Sequence, residues 1–195
     1  MTVRTWMDEA TRLFLGALDR LADDRLDAPT ALPGWTRWHL VGHVHGNAEA
    51  LRRLLSWAAT GVENRMYASP EQRADEIEAL ARRPASELRS LVHASANSLA
   101  DDMDALPGAA WSNLVVTAQG RTVPAGEIPW MRAREMAVHA VDLGNGVTFA
   151  DLPDDFNTRL VSEAAARHAS RGRAADLAAW LTGRTAEAPT LGPWL

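Results

Sequence analysis

Glu135 and His139 stand four residues apart in the segment Trp130-Met131-Arg132-Ala133-Arg134-Glu135-Met136-Ala137-Val138-His139-Ala140-Val141-Asp142-Leu143. At helical pitch, residues i and i+4 project from one face. Met131, Val138 and Leu143 make the same stretch partly apolar, so it is not fully solvated. A carboxylate on such a face is costly unless a cation or a donor meets it. The fold must therefore bring a partner to this helix. A divalent metal held by Glu135 and His139 would be one, and it needs a third ligand, which the chain offers at His43.

With 195 residues, 47% of them apolar, the chain fits one domain, or one domain with a small appendage, around a sizeable core. No window approaches about 18 uninterrupted apolar residues, so no membrane span is expected. The first residues lack the apolar run and cleavage site of a signal peptide, and a cytoplasmic location is the expectation. Cysteine is absent, which excludes a disulfide framework and a thiol nucleophile of the chain's own. Any thiol chemistry must use a thiol from outside. A net charge of −5 with interspersed signs lacks the basic stripe of a nucleic-acid binder. The pairs Arg52-Arg53 and Arg82-Arg83 read as solvated helix faces.

Apolar residues at helical spacing, including Trp6, Ala10, Phe14 and Leu18, predict a first helix over about 3–21. Thr36 caps a second, running to about 59 and ended by Gly61. Ser69-Pro70-Glu71 starts a third that reaches about 82. Pro84 kinks it or opens a fourth over 85–106. Leu114-Val115-Val116 and Arg121-Thr122-Val123 suggest a short hairpin or a structured loop. Pro129 opens the Glu135/His139 helix, and Gly144-Asn145-Gly146 stops it. Two short helices follow, over about 153–169 and 174–181, and then a Gly/Pro-rich tail. Four long helices with a crossover loop suggest a bundle, an architecture that places metal ligands in its core from facing helices.

Setting Leu40 at zero on a helical wheel, Val44 falls at about +40°, His43 at about −60°, His39 at about −100° and His45 near +140°. His43 therefore lies at the edge of the buried stripe, and His45 points away. His39 is intermediate, a substitute ligand or a residue behind the ligands. Two plainer readings stand beside the metal. His43 could be a hydrogen-bonded core histidine, and Glu135 could pair with Arg132 or Arg134. Asp142 could orient His139 from behind or serve as a surface acid at the helix end. Asn47 and Arg132 are further candidates to line a cavity.

Leu32-Pro33-Gly34-Trp35-Thr36, followed by Leu40-Val41-Gly42-His43, resembles the opening of the second helix in the mycothiol-dependent maleylpyruvate isomerase family. That family belongs to the DinB/YfiT-like metal-binding four-helix bundles. The run from Arg132 through Glu135, His139 and Asp142-Leu143 resembles its second signature, R-x-R-E-x-x-x-H-x-x-D-L. Phe149-Ala150-Asp151-Leu152-Pro153, Ala179-Trp180-Leu181-Thr182-Gly183-Arg184 and Pro193-Trp194-Leu195 are similar to its continuation and C-terminal region.

The resemblance implies a mainly α, DinB-like four-helix bundle over residues 1–150. Residues 151–195 would then be a short C-terminal region, reduced relative to the small α/β domain of the full-length isomerases. It implies metal ligands His43, Glu135 and His139, with zinc as the metal and mycothiol as the thiol cofactor. Arg184 matches a substrate-related arginine, and Asp142 is taken with it as a catalytic-site residue. Three protein ligands leave one coordination position open, and a metal-bound thiol is deprotonated near neutral pH. In an isomerase the thiolate adds to the cis double bond of maleylpyruvate. Rotation and loss of the thiol then give fumarylpyruvate. A mycothiol S-transferase shares the first step, and a non-catalytic metal- or ligand-binding bundle is the reading from another class. The expected partners are a small-molecule substrate and a low-molecular-weight thiol, with the chain a monomer or homodimer.

Overall fold

Residues 2–192 are described by a computed structural model. The motif Pro193-Trp194-Leu195 lies outside the described residues. The chain separates into two compact units, Met1–Asp151 and Leu152–Leu195.

The first unit is built on four long helices, α1 (Val3–Asp19), α2 (Arg37–Thr60), α4 (Ala85–Ala105) and α5 (Ile128–Asp142), with the shorter α3 (Pro70–Leu80) beside them. This is the mainly α, DinB-like bundle expected from the sequence. α1 packs along α5, α2 packs on α4 and α5, and α3 lies against α2. The helix ends follow local chemistry. The Thr2 hydroxyl accepts from Thr5 N–H at 3.2 Å, and the Ser69 hydroxyl accepts from Gln72 N–H at 3.2 Å. Gly61 closes α2 in a left-handed conformation with φ of 75°. Pro84 opens α4 rather than kinking α3, since α3 has already ended at Leu80.

Phe14, Leu18, Leu40, Leu51, Leu54, Leu88, Leu99, Ile128 and Met136 fill the core. Each such side chain contributes roughly 1.5–3 kcal/mol on leaving water. Trp6 and Trp130 meet edge to face across α1 and α5, with ring centroids 5.9 Å apart. Between α4 and α5, β1 (Leu114–Val116) pairs antiparallel with β2 (Thr122–Pro124), and the facing Val115 and Val123 are both buried. The hairpin alternative is thus the one that forms.

In the second unit, α6 (Asp154–His168) leads through a π-turn to α7 (Ala174–Leu181). Gly172, with φ of 88°, breaks the helical path there, a conformation glycine adopts freely. Among the described residues, no helix is long and apolar enough to cross a membrane.

Candidate metal centre

His43 on α2 and Glu135 and His139 on α5 come together. His43 Nε2 lies 3.1 Å from Glu135 Oε2, and His139 Nε2 lies 3.3 Å from the same oxygen. The imidazoles stand edge to face with centroids 5.0 Å apart. One ligand atom from each residue falls within 4.8 Å of the others. Their side chains are only 8%, 14% and 11% exposed for His43, Glu135 and His139. Arg132 feels the Glu135 charge, and its Nη1 donates to the Val44 carbonyl and Asn47 Oδ1. The two histidines occupy the Glu135 carboxylate.

The donor set fits a divalent cation. Bonds of about 2.0–2.1 Å in a tetrahedral site separate ligand atoms by roughly 3.3 Å, the spacing seen on both sides of Glu135 Oε2. Asp142 Oδ2 lies 2.9 Å from His139 Nδ1. This carboxylate–histidine pair is the usual backing of a ligating imidazole. The spacing that puts Asp142 three residues after His139 in α5 makes the contact possible.

The electrostatics describe a centre already balanced without metal. Burial raises the Glu135 carboxyl, but hydrogen bonds from His139 and His43 outweigh it and hold the group well below the usual carboxylate range. Burial disfavours charge on His139, yet Asp142 and Glu135 outweigh that too and push its pKa up to about 9. Burial keeps the His43 pKa below its ordinary value, against the pull of Glu135. At neutral pH the cluster is therefore one carboxylate, one imidazolium and one neutral imidazole. The proton on His139 stands in for part of a cation's charge.

Two residues weighed from the sequence hold the site from outside. Arg132 is fully buried one turn before Glu135. Its Nη1 donates to the Val44 carbonyl at 2.9 Å and to Asn47 Oδ1 at 2.8 Å. Burial brings its pKa down to about 10. Asn47 thus serves Arg132 and ties α2 to α5. His39 does not join the ligands. It closes the start of α2, where its Nδ1 accepts from Thr36 N–H at 3.1 Å, and its Nε2 faces Glu78 Oε1 at 3.2 Å. The capping demand at the third helical residue wins over the wheel angle, which placed His39 between buried and exposed.

Three further residues around the centre carry no signal of their own in the sequence. Arg37, at the first turn of α2, donates to the carbonyls of Leu143, Arg25 and Gly144 at 2.7, 3.0 and 3.2 Å. Arg73 on α3 reaches His43 from the opposite edge, with Nη2 3.2 Å from Nδ1. Tyr67 lies beside Arg73, its pKa raised by burial and pulled back by that guanidinium. No periodicity in their own segments points at the site. Trp35, whose ring is 5.4 Å from that of His43, was visible only as part of a motif. Arg184 belongs to the second unit, is exposed, and donates from Nη1 to the Thr182 carbonyl at 2.6 Å.

Comparison with known proteins agrees with this geometry. The model of the mycothiol maleylpyruvate isomerase N-terminal domain matches residues 7–144, the span that holds all three candidate ligands. A crystal structure of the mycothiol-dependent maleylpyruvate isomerase is 39% identical, covers 86% of this chain and 70% of its own, and superposes with a TM-score of 0.79. A structure of a histidine-to-alanine mutant of such an isomerase is 38% identical, with the same coverage and TM-score. No curated protein matches the chain. The chain belongs to the mycothiol maleylpyruvate isomerase N-terminal domain family, a family of isomerase-like enzymes.

Proposed function

We propose that the chain is a metal-dependent enzyme using mycothiol, and that it catalyses a maleylpyruvate isomerase-like cis–trans isomerisation by thiolate addition and elimination. The observation that carries this reading is the convergence of His43, Glu135 and His139 on one point, with ligand atoms within 4.8 Å, inside the span matched by the isomerase domain. His43, Glu135 and His139 would hold a divalent cation there, with zinc as the first candidate, which would offer an open position and lower the pKa of a thiol bound at it.

The chain's own residues have distinct parts. Glu135 contributes the single negative charge, so a thiolate is not driven off by excess charge on the ligands. His139 is held by Asp142 through Nδ1, which leaves Nε2 aimed at the centre. Arg132 and Asn47 fix the turn of α5 that carries Glu135. The low exposure of all three ligand side chains keeps bulk water from competing with the thiol. The chain has no cysteine to compete for the metal or to be oxidised beside it.

The test begins with elemental mass spectrometry of the purified chain. About one zinc per chain is expected, with loss in His43→Ala and His139→Ala while circular dichroism stays helical. Zinc-loaded protein with mycothiol should then convert maleylpyruvate to fumarylpyruvate. Unchanged metal content in both variants would overturn the ligand assignment. Full metal content with no mycothiol-dependent turnover of maleylpyruvate would overturn the reaction.

A further inference from the structure

Arg73 differs from the other arginines around the bundle. Arg37 spends its donors on three carbonyls, Arg132 on Val44 and Asn47, and Arg52 on Glu49 and Asp102. Arg73 is half-buried, and among the described residues no carboxylate forms an ion pair with it. Its guanidinium carbon sits 5.9 Å from the ring centroids of both Trp35 and Tyr67. Two aromatic rings therefore hold the cation by its faces, which leaves the N–H edge to find acceptors. Its Nη2 donates to His43 Nδ1 at 3.2 Å, and a further hydrogen bond joins the guanidinium to the Tyr67 hydroxyl.

That contact competes with metal binding. A neutral imidazole has one lone pair and one N–H. With Arg73 donating to Nδ1, the hydrogen is on Nε2 and points to Glu135 Oε2. Using the Nε2 lone pair for a cation puts the hydrogen on Nδ1, where it meets the Arg73 N–H donor against donor. Arg73 then keeps its aromatic walls and the Tyr67 hydroxyl, and its Nη2 loses the His43 acceptor directly beside the ligand cluster. A half-buried guanidinium N–H left without an acceptor is costly. The group that best fits a planar fork of donors is a carboxylate.

We propose that Arg73 is the substrate-recognition residue of this centre and takes the carboxylate of an acidic, unsaturated electrophile, released for that purpose from His43 when the ligands hold metal. The proposal rests on the metal-site reading above and adds to it the residue that reads the substrate's carboxylate. It also places the anion-binding arginine in the same unit as the ligands, whereas Arg184 lies in the other.

Maleate, the smallest cis-unsaturated dicarboxylate, is the probe, with uncharged maleamide as control. Binding to the full chain is followed by tryptophan fluorescence and by calorimetry, with and without zinc. Zinc-loaded protein should bind maleate more tightly than the metal-free form does. In Arg73→Met, which keeps the aliphatic stem between the rings, maleate should bind about tenfold or more weakly at equal zinc content. Arg73→Lys should restore part of the loss, and maleamide should respond to neither change. Equal maleate affinity in Arg73→Met and the parent overturns the proposal, as does a zinc-loaded chain that does not prefer maleate to maleamide. If the chain takes up no zinc, the metal reading fails by itself. The proposal is then decided on metal-free protein, where His43→Ala frees Arg73 and should tighten maleate binding. No tightening overturns it.

Discussion

Arg37 Nε donates to the Leu143 carbonyl at 2.7 Å, joining the first turn of α2 to the end of α5. Arg37 precedes His43 by six residues, and Leu143 follows His139 by four, so this one bond fixes the two ligand-bearing helices against each other just outside the centre. Gly144, in the left-handed region at φ of 61°, turns its own carbonyl onto the same guanidinium at 3.2 Å. Arg37→Ala should leave the buried Leu143 carbonyl and the part-buried carbonyls of Arg25 and Gly144 without this donor. We expect a loss of about 2–4 kcal/mol of stability and zinc affinity at least tenfold lower. Chemical denaturation and competition with a chromogenic chelator check the two. Unchanged zinc affinity in a destabilised variant would show that Arg37 serves the fold alone.

The two glycines of α2 should respond in opposite directions. A Cβ on Gly42 would stand 2.9 Å from Leu80 Cβ and 3.5 Å from the Ile77 carbonyl, because α3 crosses α2 at that point. A Cβ on Gly46 meets nothing within 4 Å. Gly42→Ala should therefore cost about 1–3 kcal/mol through overpacking and displace α3, which carries Arg73. Gly46→Ala should gain up to about 1 kcal/mol from helix propensity. Thermal unfolding of the pair decides it, and stabilisation by both would mean that α3 does not lie tightly on α2.

Much of this centre was legible in the sequence, for identifiable reasons. The i, i+4 spacing of Glu135 and His139 and the wheel angle of His43 are local geometry, and the helix start signals at Thr36, Ser69 and Pro84 are local hydrogen bonding. Arg37 and Arg73 were not legible, because their roles depend on chain segments brought together only by packing. Arg37 meets carbonyls 106 and 107 residues away. Arg73 meets an imidazole edge that α3 reaches by packing on α2, with Gly42 under the far end of α3 at Leu80. The wheel leaves His39 intermediate because it records burial only, whereas a side-chain cap competes with burial at the third residue of a helix.

Asp142 acts on the centre through His139. Asp142→Asn retains an oxygen near Nδ1 but loses the charge that the 2.9 Å contact supplies. Zinc affinity should fall roughly 10- to 100-fold, the usual effect of losing a partner behind a metal ligand. The measurement belongs at pH 9.5, above the His139 titration, where a change in proton competition does not hide the loss. Equal affinities there would make Asp142 a surface acid that happens to lie near the ring.

Proton and metal should compete for His139, which adds a distinct pH dependence between about 6.5 and 9. Its pKa in the fold is about 9 because Asp142 and Glu135 outweigh burial. In the unfolded chain it is about 6.5. A group whose pKa is raised by folding stabilises most below the unfolded value. Its contribution is therefore complete below about pH 6.5 and lost as pH rises to about 9, a change of a few kcal/mol for this buried ring. Metal-free protein should accordingly melt at progressively lower temperature between pH 6.5 and 9. Zinc must displace the same proton, so its apparent affinity should climb up to about tenfold per pH unit over that interval and level off above it. Calorimetry in buffers of different ionisation enthalpy should detect close to one proton released per zinc at pH 7.5. Zinc affinity that is flat from pH 7 to 9, with no proton released, would show that His139 is neutral in the metal-free protein and that Glu135 finds its positive partner elsewhere.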